Sequence, residues 1–377
     1  LVGGIVRNIL LKKEISDIDI DIIVTGNPQK IGADLSVLLS GKSATIDRSR
    51  NIVRLTLHKS SPVKNIDIAP IAKNILHDLQ NRDFTINAIA IPIQSLKNPD
   101  NYICFIDPHN GVNDLQNGVI KLVSIEALRQ DPVRLIRGVR LTTQLGFDLA
   151  ESAATNIRQN SHLLHHVASE KLRDELLRIL AQPFPTKSIR LLDKLGLLIM
   201  IIPELDTAKG VIQPEEHYWN VFDHSLETVD AVDQILIGIR SETNSIIKQS
   251  LPVFNGLNKY FSEQVGDGHT RLTMLKLAGL LHDVSKPDTK TIEDTGRIRF
   301  LGHDKIGAET VKRIMIRLRF STAAVKSVTA MVKHHLRPSH MSQTGEMPTS
   351  RAIHRYFRDV GKVSVDTLYL NLADYLA

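Results

Sequence analysis

Two kinds of hydrophobic pattern divide the chain. In the first part, short β-branched runs alternate with polar turns, which is typical of strands separated by helices. The runs that predict strands lie at 18–24, 52–57, 66–68 and 102–106. The stretch at 29–39 predicts a helix. Residues 1–124 are therefore expected to form a mixed α/β head.

From residue 125 onward, apolar residues recur with the spacing of one helix face. The first such stretch has its candidate core positions at Leu128, Val133, Leu135, Ile136 and Val139. A Gly- and Pro-containing break at 209–214 separates a helical neck, 125–213, from a helical third domain, 214–377. Inside that domain, the Gly-rich stretch 251–269 predicts a long loop. The expected fold class is α+β, with a mixed-sheet head followed by two all-helical regions.

Composition narrows the class of protein. The 377 residues are 42% hydrophobic and 23% charged, which excludes a disordered, collagen-like or disulfide-stapled chain. The single cysteine, Cys104, cannot form an internal disulfide and favours a reducing cytoplasm. The longest apolar stretch, 197–202, is too short to span a bilayer, so no membrane association is expected. Because the chain starts at Leu1 without a methionine, we expect a fragment; the oligomeric state is left open.

Charge is distributed unevenly. Residues 297–358 contain 13 Lys and Arg and three acidic residues, a local charge of +10 in a chain of +6, which leaves −4 for the remainder. A basic segment of this kind suits nucleic acid or another polyanion, although a solvated basic surface would have the same composition. Aromatic residues make up only 5% of the chain, which argues against a base-stacking platform.

Aspartates alternate with isoleucines in the first predicted strand. On a strand, Asp17, Asp19 and Asp21 place their carboxylates on one face and the isoleucines on the other. Neighbours in such a row are roughly 7 Å apart, so two of them can ligate one or two Mg²⁺ ions. Aspartate is a poor strand former, which makes a purely structural role the weaker interpretation.

Two further features accompany this row. Gly3 and Gly4 precede Arg7 at the start of a predicted helix, where exposed backbone, helix N-terminus and arginine favour a polyanion. Asp67 is a third acid, set between apolar residues in the run 65–69. The ordered set of Gly-Gly, Asp-x-Asp and isolated acid is much more specific than any one of its parts.

Four motifs in order resemble one enzyme family. They are Leu-Val-Gly-Gly-Ile-Val-Arg at 1–7 followed by Asp-Ile-Asp, Asn-Arg-Asp-Phe-Thr-Ile-Asn-Ala at 81–88, Gln-Asp-Pro-Val-Arg-Leu-Ile-Arg at 130–137, and Ser-Glu-Lys-Leu-Arg-Asp-Glu-Leu at 169–176. The set resembles the class II tRNA nucleotidyltransferase and bacterial poly(A) polymerase family, CCA-adding type. The resemblance implies a polymerase-beta-like nucleotidyltransferase head that transfers nucleotides from ATP and CTP to an RNA 3′ end.

The resemblance also implies a metal site. The family's Asp-x-Asp pair holds Mg²⁺, and two registers compete here. Counting from Gly3 gives Asp17 and Asp19, whereas counting back from 25–26 gives Asp19 and Asp21. We prefer Asp19 and Asp21, because the preceding turn tolerates an insertion better than a strand does. Asp67 is the candidate third carboxylate.

Nucleotide-binding roles follow from the same resemblance. Arg82 would contact the triphosphate, and Asp83 would select the ribose hydroxyl. Asp131 and Arg134, neighbours at i and i+3 on a helix face, would hydrogen-bond the base edges of incoming C and A. The complete implied set is Gly3, Gly4, Arg7, Arg82, Asp83, Asn87, Asp131, Arg134 and Arg137.

Three residues depart from the family motifs. Asn8 replaces the usual Asp after Arg7, Asn81 replaces the first Arg of its motif, and Gln130 replaces Glu. Gln130 cannot orient Arg134 by charge, which puts the switch from CTP to ATP in doubt more than the transfer chemistry. An enzyme that adds only A or only C is therefore an open alternative.

Histidines and aspartates in the last domain follow the order of an HD phosphohydrolase. The order consists of His224, His282, Asp283 and Asp374, and it is extended by His303, His334 and His335, a candidate second metal set. Mixed imidazole and carboxylate ligands suit a divalent transition metal such as Mn²⁺, Ni²⁺ or Fe²⁺, with an open position for water. The resemblance implies metal-dependent phosphoester hydrolysis, for example of a 2′,3′-cyclic phosphate on RNA ends.

The leading hypothesis is template-independent addition of CCA, or part of it, to tRNA 3′ ends. One alternative is an A-only or poly(A) tailing enzyme acting on another RNA. A second is chiefly a metallophosphohydrolase with a vestigial transferase head. A non-catalytic RNA-binding protein ranks last, because it leaves both metal-ligand patterns without a role.

Overall fold

The computed structural model describes residues 1–13, 18–58, 60–96, 104–214, 218–240, 252–342 and 345–377. The chain forms two compact units, Leu1–Asn160 and Ser161–Ala377, and the division falls inside the predicted neck. The first unit combines a small mixed sheet with helices, and the second is mainly helical. The α+β fold class expected from the sequence is confirmed.

The first unit is built on a four-stranded mixed sheet. Its strands are β1 (Ile18–Val24), β2 (Lys42–Asp47), β3 (Ile52–Thr56) and β4 (Val63–Pro70), in the order β1-β4-β3-β2. β1 runs parallel to β4, and the other neighbours are antiparallel. The register sets Asp19 opposite Asn65 and Asp21 opposite Asp67, so acidic and amide side chains of two strands share one face.

The strand predictions agree with this sheet except at one edge. β1 has the predicted bounds, and β4 is longer than the predicted 66–68. β2 has no counterpart among the predictions, because its mostly exposed side chains lack the half-buried alternation of an inner strand. In the predicted strand 102–106, residues 102 and 103 lie outside the described residues, and Ile106 forms an isolated bridge with Ala90.

Helices cover the sheet and continue beyond it. In the first unit they are Gly4–Leu10, Pro28–Leu38, Ile75–Gln80, Gly111–Gln116, Ile125–Gln130, Arg134–Leu145 and Glu151–Gln159. The helix predicted at 29–39 begins at Pro28, because the Asn27 side chain caps it by accepting from the backbone N–H groups of Gln29 and Lys30. Phe84, Ile86 and other fully buried residues form the core beneath them.

The predicted core positions of the neck are all buried. The helix containing them is nevertheless interrupted: Ile125–Gln130 and Arg134–Leu145 are separate helices. Pro132 lies in the gap, where its missing N–H and its ring disfavour an uninterrupted helix. The break places Asp131 and Arg134 at a helix junction rather than in mid-helix.

The second unit is a helical array with two short hairpins. Its helices are Ser169–Leu180, Thr186–Lys194, Leu198–Ile201, Val221–Arg240, Leu257–Ser262, Arg271–Leu281, Lys286–Thr289, His303–Arg317, Thr322–His334, Arg337–Met341, Ser350–Val360 and Ser364–Leu376. The hairpins pair Gln264–Gly266 with His269–Thr270 and Lys290–Ile292 with Ile298–Phe300. Across the described ranges, no helix has the length and apolar character needed to cross a membrane.

The long loop predicted at 251–269 is wrong for most of its length. The described part contains the helix Leu257–Ser262 and the first strand of a hairpin. Leu257 and Phe261, spaced i and i+4, are both buried. Their packing stabilises a helix too short to be stable by itself, which the surrounding glycines and polar residues conceal in the sequence.

Candidate functional site

Asp19 and Asp21 project from the same face of β1. Asp19 is exposed and Asp21 is half-buried. Asn65 on β4 donates from Nδ2 to Asp19 Oδ1 at 2.8 Å, which orients the first carboxylate. Ile20 and Ile22 pack on the other side against the core. Asp17 lies outside the described residues, so the choice between the two registers stays a prediction.

Gly3 brings bare backbone against this carboxylate row. Its φ is +74°, and a Cβ added to it would lie 3.0 Å from Asp21 Oδ2 and 2.8 Å from Arg82 Nη1. A side chain here would therefore displace either the carboxylate or the guanidinium. Arg82 is oriented by Asp78, whose Oδ2 accepts from Arg82 Nε at 2.9 Å. Gly4 begins the helix that carries Arg7.

Asp67 faces Asp21 across the parallel pair but is already engaged. Arg54 on β3 donates from Nε and Nη2 to the two oxygens of Asp67, each at 2.7 Å. Both carboxylate oxygens of Asp67 thus accept from a bidentate arginine. The predicted third carboxylate therefore lies next to the pair. Because Arg54 engages both of its oxygens, it is better placed to act on the site through its charge than to bind a metal ion directly.

The site disfavours an isolated negative charge on Asp21. Burial raises the pKa of Asp21 above its ordinary value, against the opposing effect of Arg82. The neighbouring carboxylates Asp67 and Asp19 raise it further. A divalent cation shared by Asp19 and Asp21 would offset this repulsion, so the hard oxygen ligands present fit Mg²⁺.

A second network runs from Asp83 to Arg7. Asp83 Oδ2 accepts from Arg137 at 2.9 Å, and its Oδ1 accepts from Asn87 Nδ2 at 3.1 Å. Burial alone would raise the pKa of Asp83, but Arg137 and the hydrogen bonds lower it below its ordinary value. Asn87 Oδ1 accepts from Arg7 Nη1 at 2.8 Å, so one chain of contacts joins four of the predicted nucleotide-binding positions.

Arg134 is held by backbone carbonyls. Its Nη1 donates to the oxygens of Asn81 and Ala127 at 3.0 and 3.1 Å, while its Nε lies 3.8 Å from Asp131 Oδ2. Gln130 is exposed. Backbone contacts therefore provide the orientation of Arg134 that Gln130 cannot provide by charge.

Six side chains converge in the second unit from the ends and faces of different helices. They are His224, His282, Asp283, His303, His335 and Asp374. Their ligand atoms form three groups, within each of which all atoms lie within 4.8 Å of one another: His224, His282 and Asp283; His282, His335 and Asp374; and Asp283, His303 and His335. His334 belongs to none of these groups, because successive residues at the end of Thr322–His334 point in different directions.

Three of the imidazoles are oriented by the same kind of contact with a backbone carbonyl. The Nδ1 atoms of His282, His303 and His335 lie 2.8, 2.6 and 2.6 Å from the carbonyl oxygens three residues earlier in the chain. With Nδ1 as the donor, each Nε2 presents a lone pair. These Nε2 atoms are buried and face the carboxylates: His282 Nε2 lies 3.1 Å from Asp283 Oδ2, and His303 Nε2 lies 3.3 Å from Asp283 Oδ1. Backbone-anchored imidazoles whose Nε2 atoms converge with carboxylate oxygens fit a transition metal.

The cluster requires positive charge at its centre. Burial disfavours protonation of His282, but Asp283 and Asp374 outweigh it and raise the pKa of His282 to about 10. Burial and the neighbouring His282 cation lower the pKa of His335 to about 4. The two carboxylates stay ionised despite burial: His282 lowers the pKa of Asp283, and hydrogen bonds with His224 and His282 lower the pKa of Asp374. A divalent ion would replace the proton that the cluster otherwise takes up.

A cavity of about 440 Å³ opens beside this cluster and has basic walls. Lys286, Arg297 and Arg299 line it together with four of the six metal-ligand candidates. Lys286 Nζ lies 2.7 Å from Asp283 Oδ2 and donates to Gln213 Oε1 at 2.6 Å, and both residues are buried. The arrangement can hold an anionic phosphoester next to an activated water.

Sequence reasoning missed four residues at these sites. Arg54 and Asn65 contact the row of carboxylates because of the register in which the strands pair. That register leaves no signal in the sequence of either strand. Lys286 follows Asp283 at i+3 across a turn, and this short spacing of opposite charges was a usable signal. Gln213 reaches Lys286 from outside the helices, with nothing in the sequence to indicate it.

Three family models match the chain in consecutive segments. The Poly A polymerase head domain matches residues 1–121, the probable RNA and SrmB-binding site of polymerase A matches 146–209, and the HD domain matches 221–377. Together with the geometry above, these matches define the class of protein: a nucleotidyltransferase head joined to an HD domain.

Relatives of known activity narrow the class to a family. An A-adding tRNA nucleotidyltransferase of Deinococcus radiodurans is 33% identical over 342 residues, which cover 89% of this chain and 68% of the relative. A CC-adding tRNA nucleotidyltransferase of Thermus thermophilus is 28% identical over 386 residues, covering 100% and 75%. The Thermotoga maritima CCA-adding enzyme in complex with tRNA has the same fold, with a TM-score of 0.62, 23% identity and coverage of 99% and 73%. The chain belongs to the tRNA nucleotidyltransferase and poly(A) polymerase family of enzymes, as its motifs predict.

Proposed function

We propose that the chain extends the 3′ end of tRNA with CTP and ATP, adding CCA or part of it without a nucleic-acid template. The observation that carries the proposal is the convergence of Asp19 and Asp21 with the bare backbone of Gly3 and the guanidinium of Arg82. Relatives that add A and relatives that add CC both support a tRNA substrate.

In the transfer step, the 3′-hydroxyl of the RNA attacks the α-phosphorus of the triphosphate. The new oxygen–phosphorus bond forms as the bond to the β-phosphate oxygen breaks, pyrophosphate leaves, and the hydroxyl proton is lost to solvent. Mg²⁺ bound by Asp19 and Asp21 would neutralise the triphosphate and activate the hydroxyl. Arg82 binds phosphate oxygens beside Asp21, and Arg7, held by the neutral amides of Asn8 and Asn87, keeps its charge for the same purpose.

We assign the selection of the incoming base to residues of the neck. Arg134 is fixed by two carbonyls and Arg137 by Asp83, so two guanidinium groups are oriented before a nucleotide binds. Guanidinium and carboxylate groups at this spacing can hydrogen-bond the edges of C and A. Whether the chain adds CCA, CC alone, A alone or a poly(A) tail is decided by the assay below.

The histidine cluster supports a second activity, hydrolysis of a phosphoester such as a 2′,3′-cyclic phosphate. A water oxygen attacks phosphorus, one ribose oxygen–phosphorus bond breaks, and the released oxygen takes a proton, leaving a phosphomonoester. A divalent transition metal, Mn²⁺, Ni²⁺ or Fe²⁺, would supply the activated water. Lys286 holds Asp283 in place and contributes positive charge at the cavity. One cysteine in 377 residues is consistent with action in the cytoplasm.

One extension assay tests the transferase proposal. Purified protein with Mg²⁺ is incubated with each triphosphate and with tRNAs that end before CCA, at C or at CC. Extension of the first two by CTP and of the third by ATP indicates CCA addition, and a single productive triphosphate indicates a partial activity. No extension of any substrate by folded protein would refute the proposal.

A second candidate function is that of a metallophosphohydrolase with a vestigial transferase head. It is supported by the contrast between the histidine cluster, whose members converge, and the head, where three residues depart from the family motifs. Cyclic-phosphate cleavage without extension in the same preparation would favour this candidate.

A further inference from the structure

The helix Ser350–Val360 has one buried and one solvent-exposed face. Thr349 caps it, its side chain accepting a hydrogen bond from the Ala352 backbone N–H. Tyr356 and Val360, spaced i and i+4, are buried and hold one face against the rest of the second unit. The opposite face is left to solvent.

This exposed face is basic. Arg351, Arg355 and Arg358 recur at i, i+4 and i+7, which aligns their guanidinium groups in one stripe. Arg358 donates to Asp359, the acidic residue of the helix, whereas Arg351 and Arg355 have no ion-pair partner within the described part of the chain. Phe357 is 47% exposed but lies off the stripe, about 120° round the helix from Arg351. The face therefore offers positive charge that no acidic residue of the described chain pairs with at Arg351 or Arg355.

One short helix connects the basic stripe to the cavity of the histidine cluster. Arg337, at the start of Arg337–Met341, donates from Nη2 to Asp359 Oδ2 at 2.8 Å. His340, three residues further along the same helix, lines the cavity. The Arg337–Asp359 contact therefore joins the helix that carries the stripe to a helix that carries a cavity-lining residue.

Charge and position together select the ligand. Arginines in a row bind the phosphates of a single strand. An acidic peptide would satisfy the charge but has no phosphoester to place in the cavity. We propose that this face binds a single-stranded RNA segment and leads its terminal phosphate into the histidine site, which then acts on RNA ends in preference to free nucleotides. This inference rests on the hydrolase activity proposed above.

The test compares two substrates of the histidine site, a ten-nucleotide RNA ending in a 2′,3′-cyclic phosphate and free 2′,3′-cyclic AMP. The variant R351A/R355A should raise KM for the oligonucleotide about tenfold and leave kcat and all constants for cyclic AMP unchanged. The slope of log(1/KM) against log salt should fall in magnitude by about 1.4, because each lost phosphate contact of a single strand contributes about 0.7. The control K259A/K312A removes the same charge from other exposed helix surfaces and should change neither constant.

Two results would overturn the proposal. One is an unchanged oligonucleotide KM in R351A/R355A, and the other is an equal change for cyclic AMP. If wild-type protein hydrolyses neither substrate, the hydrolase proposal fails and the surface is judged by photocrosslinking of a 4-thiouridine oligonucleotide. Crosslinks within residues 350–360 would support the surface, and crosslinks only elsewhere would refute it. Competition by polyglutamate as strong as by RNA would assign the face to acidic protein instead.

Discussion

The two candidate sites are proposed to act on the same kind of group, a phosphate beside a metal ion, with different side chains. In the head, Asp19 is exposed and Asp21 half-buried on one strand face, with arginines around them. In the second unit, His282 and His335 are 0% exposed and Asp283 is 1% exposed. The first site is an open set of oxygen ligands, and the second is an enclosed set of nitrogen and oxygen ligands.

This difference indicates how each site would keep its metal. Carboxylates in contact with water bind Mg²⁺ weakly and suit an ion that enters with the triphosphate and leaves with pyrophosphate. Buried imidazoles and carboxylates, with the imidazoles fixed by backbone carbonyls, lose more when the ion is absent. The enclosed site should therefore retain a transition metal through turnover, whereas the open site should exchange its ion.

The largest expected effect separates the head from the second unit. D21N removes a ligand charge from the open site, so tRNA extension should fall on the order of a thousandfold. Cyclic-phosphate hydrolysis should stay within about twofold, because Asp21 belongs to none of the ligand groups of the histidine cluster. D34N, which changes an exposed carboxylate of the helix Pro28–Leu38, is the matched control and should extend normally. Equal loss of both activities in folded D21N would show that the sites are not separate.

The reciprocal change should be nearly as large. H282A removes an imidazole shared by two of the three ligand groups, so hydrolysis should fall about a hundredfold or more, while extension persists. H162A removes an exposed histidine of the same unit and serves as the control. Circular dichroism checks that H282A is folded. Full hydrolysis by H282A would place the hydrolytic site elsewhere.

An intermediate effect distinguishes a metal ligand from a neighbour. Because Arg54 occupies both oxygens of Asp67, D67N should lower extension about tenfold, well short of the loss in D21N. The measurement is kcat/KM for CTP at saturating Mg²⁺, with D21N assayed beside it. A loss as large as that of D21N would make Asp67 a direct ligand and require Arg54 to move away during turnover.

The smallest expected effect concerns base selection. Gln130 is exposed, and Arg134 is already held by the carbonyl oxygens of Asn81 and Ala127. Q130E should therefore change the ratio of CTP to ATP incorporation by no more than about threefold, the scale of an exposed ion pair. Competitive incorporation into a tRNA ending at CC measures the ratio. A change of a hundredfold would show that the charge at 130, rather than the backbone, orients Arg134.

Local patterns were enough to predict β1 and its aspartates. The alternation of acid and isoleucine is a property of seven consecutive residues, and the strand has the predicted bounds. The contacts of Arg54 and Asn65 depend on how β1, β3 and β4 pair, and register between separate strands leaves no trace in either strand alone. The first carboxylates could be predicted, and their partners could not.

The histidine cluster shows the same limit. Motif order identified His224, His282, Asp283 and Asp374 as a set, and the structure brings them together. The choice between the consecutive residues His334 and His335 depends on where a helix ends and which way its last side chains point. The chain around them supplies no rule for that, so only the structure separates the two.

The metal content of purified protein tests the contrast between open and enclosed sites most directly. Wild type, D21N and H282A are dialysed into buffer with excess Mg²⁺ and measured by inductively coupled plasma mass spectrometry. The account predicts about one or two transition-metal ions per chain in wild type and D21N, and little in H282A. Transition metal retained in full by H282A, or lost from D21N, would contradict it.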